Sequence, residues 1–397
     1  MKKYILIILC CLTSFPLWSY NVNMIVEHYS VDQGLPNNTV NCTLKDRDGF
    51  IWFGTWYGLC CFDGVKFKTF NKQEHDSDVP PRKIQRIVED KNGYIWVKTI
   101  DRKLYVFNKV TECFHAVYDD MKNYSENIQV IKLQNTAEGD VLLLTKDKNL
   151  LLAGVDEKGQ VTIKILFDSR DEINKHDYTL KHHVLCETEE YISWIGTDYK
   201  VSAVHKGAEL ASRPADFITS KINSGDKDSF TSFFEDGRKV WVGDRAGIFY
   251  SIDVRTGLVN RYVLSEIKGA ISNLLVTPAG YVYLSVAGQG TYEYDLAERR
   301  LQKINTEMND AMVTHAFIDQ YDKIWYHENE KALMYYDPLN HTAKRFPFTM
   351  FGKITTLYSE DAGERGLFFL SPAGEAWLFD REHAEMVYIN KLKQLSN

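Results

Sequence analysis

The chain has 397 residues, 44% of them hydrophobic and 25% charged, with a formal net charge of -7. That composition excludes an intrinsically disordered chain, which pairs low hydrophobicity with high net charge. It also argues against a nucleic-acid partner, whose recognition needs a basic face, and no run of like charges suggests a charged tail.

Taken in chain order, the first 19 residues read as a signal peptide. Lys2 and Lys3 form a positive start, residues 4–12 an apolar stretch, and Ser19 precedes the expected cleavage point. The apolar stretch is short for a membrane helix, and a lipid anchor through Cys10 or Cys11 fits less well because so little apolar sequence precedes them. This predicts a secreted, periplasmic protein with one domain over residues 20–397.

One pattern then recurs to the end of the chain. Its clearest copy spans residues 35–70. It has a loosely alternating stretch, the turn Asp46-Arg47-Asp48-Gly49, the strand Ile51-Trp52-Phe53-Gly54-Thr55, then Gly58-Leu59, a Phe62-Asp63-Gly64 turn and a last strand. Further units are expected at 81–117, 126–166, 178–210, 229–264, 269–304, 311–346 and 352–389. Their landmark residues are Trp52, Trp96, Leu143, Trp194, Trp241, Tyr283, Trp325 and Phe369, spaced 42 to 51 residues apart. Four short strands per unit at that spacing predict an all-β chain: a β-propeller of seven or eight four-stranded blades. Residues 24–31 are expected to add a strand that helps close the ring. The segments 71–80 and 211–229 read as long polar linkers.

Each part of the unit has a physical reason. The Asp-x-x-Gly turn supplies residues that tolerate positive φ. The Trp packs between neighbouring blades, the Gly allows close backbone approach, and the Thr favours a strand. Five cysteines follow the signal segment: Cys42, Cys60, Cys61, Cys113 and Cys186. Five is odd, and their spacing fits no zinc site, so buried small hydrophobes are the simpler reading. Cys60 and Cys61 should face opposite ways on a strand, as should His182 and His183, which argues against shared metal binding.

Asp46-Arg47-Asp48-Gly49 lacks the remaining ligands of a calcium loop and is read as a structural turn. No catalytic motif, cofactor cradle or metal site stands out, so no catalytic residue, cofactor or metal is assigned.

These units resemble the propeller repeats of hybrid two-component system regulators. The resemblance rests on Asn38-Thr39-Val40, Asp46-Arg47-Asp48-Gly49, Ile51-Trp52-Phe53-Gly54-Thr55, Gly58-Leu59 and the lead-in His28-Tyr29-Ser30-Val31-Asp32-Gln33-Gly34-Leu35. It implies a periplasmic sensor that recognises carbohydrate and signals to a membrane-linked histidine kinase outside this chain, as a homodimer or otherwise.

In a propeller, the loops between second and third strands share one rim with the linkers between blades. That rim carries the candidate ligand residues Trp56, Tyr57, Arg102, Tyr199, Arg245, Gln289, His327 and Glu328, with Asp101, Asp198 and Asp244 beside them. Aromatic faces and planar polar groups suit an oligosaccharide or another small polar ligand. The competing readings are a secreted glycoside hydrolase or lyase, and a protein-interaction platform.

Overall fold

The computed structural model describes residues 29–70, 80–122, 129–146, 149–167, 185–188, 190–195, 201–207, 215–216, 230–304, 313–328, 331–351, 358–361, 366–371, 375–381 and 383–391. Residues 1–19, expected as a signal peptide, most of the 71–80 linker, His182-His183 and Tyr199 lie outside them.

The chain is a β-propeller of four-stranded antiparallel sheets, each with its strands in chain order. Two compact units are present. One, Tyr29–Phe346, contains seven blades; the other includes Pro347–Asn397 and contains the eighth sheet. The first blade comprises Val40–Lys45, Ile51–Thr55, Leu59–Phe62 and Phe67–Phe70. The second comprises Ile84–Glu89, Ile95–Thr99, Leu104–Asn108 and Cys113–Ala116.

The repeated turn shows why its Asp matters. Asp46 is buried, and its Oδ1 accepts backbone N–H bonds from Asp48 and Phe50 at 3.0 and 2.9 Å. Its Oδ2 accepts the indole N–H of Trp52 at 2.8 Å. The same carboxylate-to-indole bond joins Asp90 to Trp96 (2.9 Å), Asp236 to Trp241 (2.8 Å) and Asp319 to Trp325 (3.1 Å). The carboxylate thus closes the turn and satisfies the one polar atom of a buried indole. Gly49, with φ 90, supplies the left-handed residue that the turn needs.

Blades 3 and 6 lack this pair, and they lack both halves together. Thr136 and Thr277 stand at the Asp position, each accepting one backbone N–H at 3.1 Å. The strand register puts Leu142 at the Trp position of blade 3, three residues before the capping Thr145, as Trp52 is three before Thr55. The expected landmark Leu143 is therefore one residue out. Leu143 packs on the side of blade 2, whereas Leu142 faces the other way. Phe369 is likewise displaced: Phe368 stands three residues before the capping Ser371. In blade 6 the Trp position holds Tyr283, whose hydroxyl donates to Glu293 at 2.5 Å, so the carboxylate has moved from the turn to the third strand.

The repeat's glycine is needed for blade packing. A Cβ on Gly54 would lie 2.4 Å from Cys42 Sγ and 2.6 Å from Ile84 Cγ2; one on Gly243 would lie 2.7 Å from Ile271 Cγ2. Ile84 and Ile271 each open the first strand of the next blade and are fully buried. The repeat's threonine does more than favour a strand. Buried Thr55 and Thr99 cap the rim turns, accepting N–H bonds from Gly58 and Lys103 at 3.1 Å each.

The loose alternation of the first strands has a cause. In blades 1, 2, 3, 5 and 6 the pairing skips one residue just inside the strand: Asn41, Gln85, Ile131, Thr231 and Ser272. Two of these bulged residues reach the next blade, Asn41 Nδ2 donating to Ile84 O at 2.7 Å and Thr231 Oγ1 to Ile271 O at 2.7 Å.

At the Asp-x-x-Gly face, backbone N–H groups of one blade meet a carboxylate of the next. Arg47 N bonds Glu89 Oε2 at 2.9 Å, Ala137 N bonds Glu187 Oε1 at 2.9 Å, and Glu187 N bonds Glu235 Oε2 at 2.8 Å.

Two further expectations change. Val31–Gln33 is a 3-10 turn rather than a strand, because Ser30 and Gln33 form a capping box; residues 24–28 lie outside the described set. The 211–229 segment is not all linker: Ala215–Asp216 is the fourth strand of blade 4, beyond the expected end at 210. Cys42, Cys60, Cys61 and Cys113 are free thiols. Burial pushes the Cys60 thiol up to about 12 and that of Cys42 to about 11, as for inert core residues.

Asp46→Ala should cost about 1–3 kcal/mol, since it strips two backbone donors and an indole of their acceptor. Trp52→Phe in the Asp46→Ala background should cost less than Trp52→Phe alone. Denaturant unfolding of the four proteins of this cycle checks both statements.

Candidate functional site

The rim of blades 1 to 3 is a continuous backbone construction. Lys83 N donates to Trp56 O at 2.9 Å, Ile100 N to Lys83 O at 2.9 Å, Val130 N to Arg102 O at 2.9 Å, and Lys146 N to Gln129 O at 2.8 Å. Each bond ties a loop between second and third strands to an interblade linker or, at Val130, to the start of the next blade, so the rim is held in place rather than merely exposed.

On this frame Trp56 and Tyr57 remain 39% and 59% exposed. The ammonium of Lys83 lies 5.2 Å from the centre of the Trp56 ring, a cation–π contact that leaves the rest of the indole available. Arg102 is exposed and held at φ 67, an uncommon conformation for a residue with a side chain. Its N–H donates to Thr99 O at 3.0 Å. Asp101, also exposed, accepts a bond from Thr99 Oγ1 at 2.5 Å.

The other candidates separate. Arg245 is exposed on the rim of blade 5. Gln289 is a clamp: its side chain accepts from Lys268 N at 2.7 Å and donates to Glu266 O at 3.0 Å. Asp244 is buried and closes its own turn through bonds from Ala246 N and Ile248 N at 2.9 and 2.8 Å. Burial holds its carboxyl above the ordinary value, against those bonds. His327 is not on a rim loop. It is buried within Ile324–Glu328, two residues after Trp325, at the position that Gly54 and Gly243 hold in their blades. Glu328 ends that strand, and its side chain lies outside the described set. The structure therefore brings Trp56, Tyr57, Lys83 and Arg102 onto one stretch of rim.

The sequence reading missed Lys98. It stands in the strand Ile95–Thr99 where the first repeat has Gly54, and it is only 6% exposed. Aligning Ile95-Trp96-Val97-Lys98-Thr99 beneath Ile51-Trp52-Phe53-Gly54-Thr55 exposes the substitution.

Two features lie on the opposite, turn face. A cavity of about 310 Å³ opens between the outer halves of blades 2 and 3 and includes Tyr94, Cys113, His115, Asp120 and Gln160. The register pairs Asn108 with Cys113 and Val106 with His115, so these four share one sheet face. His115 Nε2 lies 2.8 Å from Asp120 Oδ2.

Nearby, oxygens of Asp46, Asp48 and Glu89 lie within 4.8 Å of one another, a grouping that suits a metal ion. Lys109 Nζ instead bonds all three, at 3.0, 2.9 and 2.7 Å, so an ammonium holds the place of a cation. Burial alone would raise the Asp46 carboxyl; the bonds from Trp52 and Lys109 outweigh it and hold the group below its usual value. Burial would likewise lower Lys109, and its three carboxylate bonds raise it instead. Among the described residues no helix is long and apolar enough to cross a membrane.

Residues 34–57, the segment carrying the first turn, the first Trp and the Trp56-Tyr57 rim pair, match the two component regulator propeller family. No curated protein matches the chain. Among solved structures it is similar to the extracellular domain of the putative hybrid two component system BT4673 from B. thetaiotaomicron, at 13% identity over 92% of this chain and 62% of that one (TM-score 0.41). It is also similar to the corresponding domain of BT3049 from the same organism, at 15% identity over 92% and 55% (TM-score 0.39). The Dos1 propeller matches at 13% identity over 86% and 90% (TM-score 0.51), a likeness of fold. The chain spans about three fifths of the BT4673 domain's length and somewhat less of the BT3049 domain's.

Lys109→Met should lower the melting temperature at pH 7, because it leaves three facing carboxylates without a counter-charge. Asp46 has a depressed folded pKa, so its pairing stabilises the fold above the ordinary carboxylate range and is lost as pH falls through the folded value. The deficit of the variant should therefore be full at pH 6–8 and shrink below about pH 4. Melting curves of both proteins across that range check the sign.

Proposed function

We propose that this chain is a non-catalytic, extracytoplasmic ligand-sensing propeller of a two-component regulator, and that its ligand is a carbohydrate bound at the rim of blades 1 and 2. The observation that carries the reading is the family match over residues 34–57, which ends on the exposed pair Trp56-Tyr57. An aromatic face covers the C–H surface of a sugar, while neighbouring Lys83 and Arg102 supply donors to its oxygens. Rigid backbone ties from Trp56 through Lys83 to Ile100 support the reading, because a preorganised rim loses little freedom on binding.

Signalling then needs a difference between free and bound states. Ligand bridging the rims of neighbouring blades favours one packing of the extracytoplasmic region over another, and a kinase portion beyond this chain reads that shift. Homodimer geometry is the simplest carrier of such a change.

The test is the melting temperature of the chain against a panel of poly- and oligosaccharides. Binding to the native state raises it by mass action. A selective rise is expected, with the sugar recovered intact and the rise lost in Trp56→Ala. That variant should melt within about 1–2 °C of the parent without ligand, because an exposed rim side chain contributes little to the fold. Cleaved sugar would point instead to a hydrolase or lyase, and a panel without any shift to a protein-binding platform.

A further inference from the structure

The junction between blades 2 and 3 has an arrangement of charge that the fold does not require. Lys98 is cross-strand partner to Arg86, so two cations face each other directly on adjacent strands. Like charges so placed destabilise a sheet. Lys98 is also 94% buried by its 6% exposure, and its ammonium makes one bond, to the neutral Gln85 Oε1 at 2.5 Å. Gln85 is itself the bulged residue of the first strand, a position at which Asn41 and Thr231 bond the next blade's backbone instead.

Arg102 stands on the rim loop of the same blade and carries like charge toward Lys98, as does Arg86. Burial, and then these two neighbours, hold the Lys98 ammonium below its ordinary value; no carboxylate among the described residues offsets them. The nearest acid on the loop, Asp101, is bound to Thr99 Oγ1 and lies 3.5 Å from Lys103. The contrast with the other face is sharp. Half-buried Lys109 there has three carboxylates, and Lys206 has Glu138 and Glu187.

Other blades fill the Lys98 position without a fixed positive charge. Gly54, Leu144, Gly243, Ser285 and His327 stand there, each two residues after its Trp-position residue. Val130 opens blade 3 where isoleucine opens blades 2 and 6, and its N–H is bonded to Arg102 O. A lysine at this point is therefore a local departure from the repeat. It sits beside two arginines, with a backbone strained to φ 67 holding one of them on the rim.

We infer that Lys98, Arg86 and Arg102, with Gln85, form an oxyanion subsite on the blade 2 part of that rim, and that the carbohydrate sensed there carries a carboxylate or sulfate group. The inference rests on the carbohydrate reading above and names the class of sugar. An entering oxyanion supplies the counter-charge the cluster lacks, and guanidinium groups offer it paired donors while Lys98 adds a point charge from beneath. Most of the cost of collecting these cations is already met in the free protein, so the bound state gains from the outset.

The experiment uses the full chain and three probes: trigalacturonate for carboxylate, a sulfated trisaccharide for sulfate, and maltotriose as the neutral control. Calorimetry should show one acidic sugar bound at least tenfold more tightly than maltotriose, with the preference falling as salt rises. Lys98→Met and Arg86→Gln should each reduce that binding at least tenfold and leave maltotriose unchanged. Without ligand, Lys98→Met should melt at or above the parent temperature, because it removes a buried charge opposed to Arg86; a lysine with a purely structural role would lower it. Equal binding of acidic and neutral sugars, or acidic binding undiminished in both variants, overturns the oxyanion subsite and leaves the sensor reading standing. If no sugar of either class binds, both fall. Preference for one acidic probe over the other identifies the group.

Discussion

The buried carboxylate of the blade turn, shared between two backbone N–H groups and the indole of a tryptophan, is the contact from which the rest of the blade follows. It fixes the turn between the first two strands and, through the indole, the side chain that fills the space toward the next blade. Asp46 and Trp52 are six residues apart and join across the turn. Register, core packing and the approach of the neighbouring blade are thereby set by one side chain. Ile84 then reaches Gly54, where even a Cβ would be too large.

Departures from that contact differ between blades. Thr136 and Thr277 replace Asp in blades 3 and 6, and Trp is gone with it, whereas Thr188 replaces Asp in blade 4, where Trp194 is kept. A hydroxyl that caps the turn has no second oxygen for an indole. Blade 6 solves the problem differently. Its Tyr283 hydroxyl finds Glu293, which also accepts from Tyr336 of blade 7 at 2.9 Å. Burial and the adjacent carboxylate raise the Tyr283 hydroxyl far above its ordinary value, so the bond is made by a phenol that stays protonated. A contact that is internal to the blade elsewhere has become a bond between blades.

The fold was legible in the amino-acid sequence because its governing contact uses two conspicuous residue types five or six residues apart. Blade 3 shows the limit of that signal. Without Asp or Trp, four leucine and valine residues in a row carry no phase, and Leu143 and Leu142 are indistinguishable until strand pairing is known. The rim was legible as a zone but not residue by residue. Trp56 and Tyr57 are exposed as their loop position suggests, whereas Gln289 spends its amide on two backbone groups and His327 lies inside a strand. Lys98 escaped notice because a lysine is ordinarily read as solvated; only its place beneath a glycine of the repeat shows that it is buried.

The bonds from Arg47 N to Glu89, from Ala137 N to Glu187 and from Glu187 N to Glu235 all lie on the turn face. At the rim the first blades are joined as well, through Lys83 N to Trp56 O, Val130 N to Arg102 O and Asn41 Nδ2 to Ile84 O. Blades fastened at both ends behave like a plank nailed at each end: neither end can swing while the other stays still. A load applied where a molecule rests on the rim is therefore passed along to the next blade rather than taken up by a local tilt.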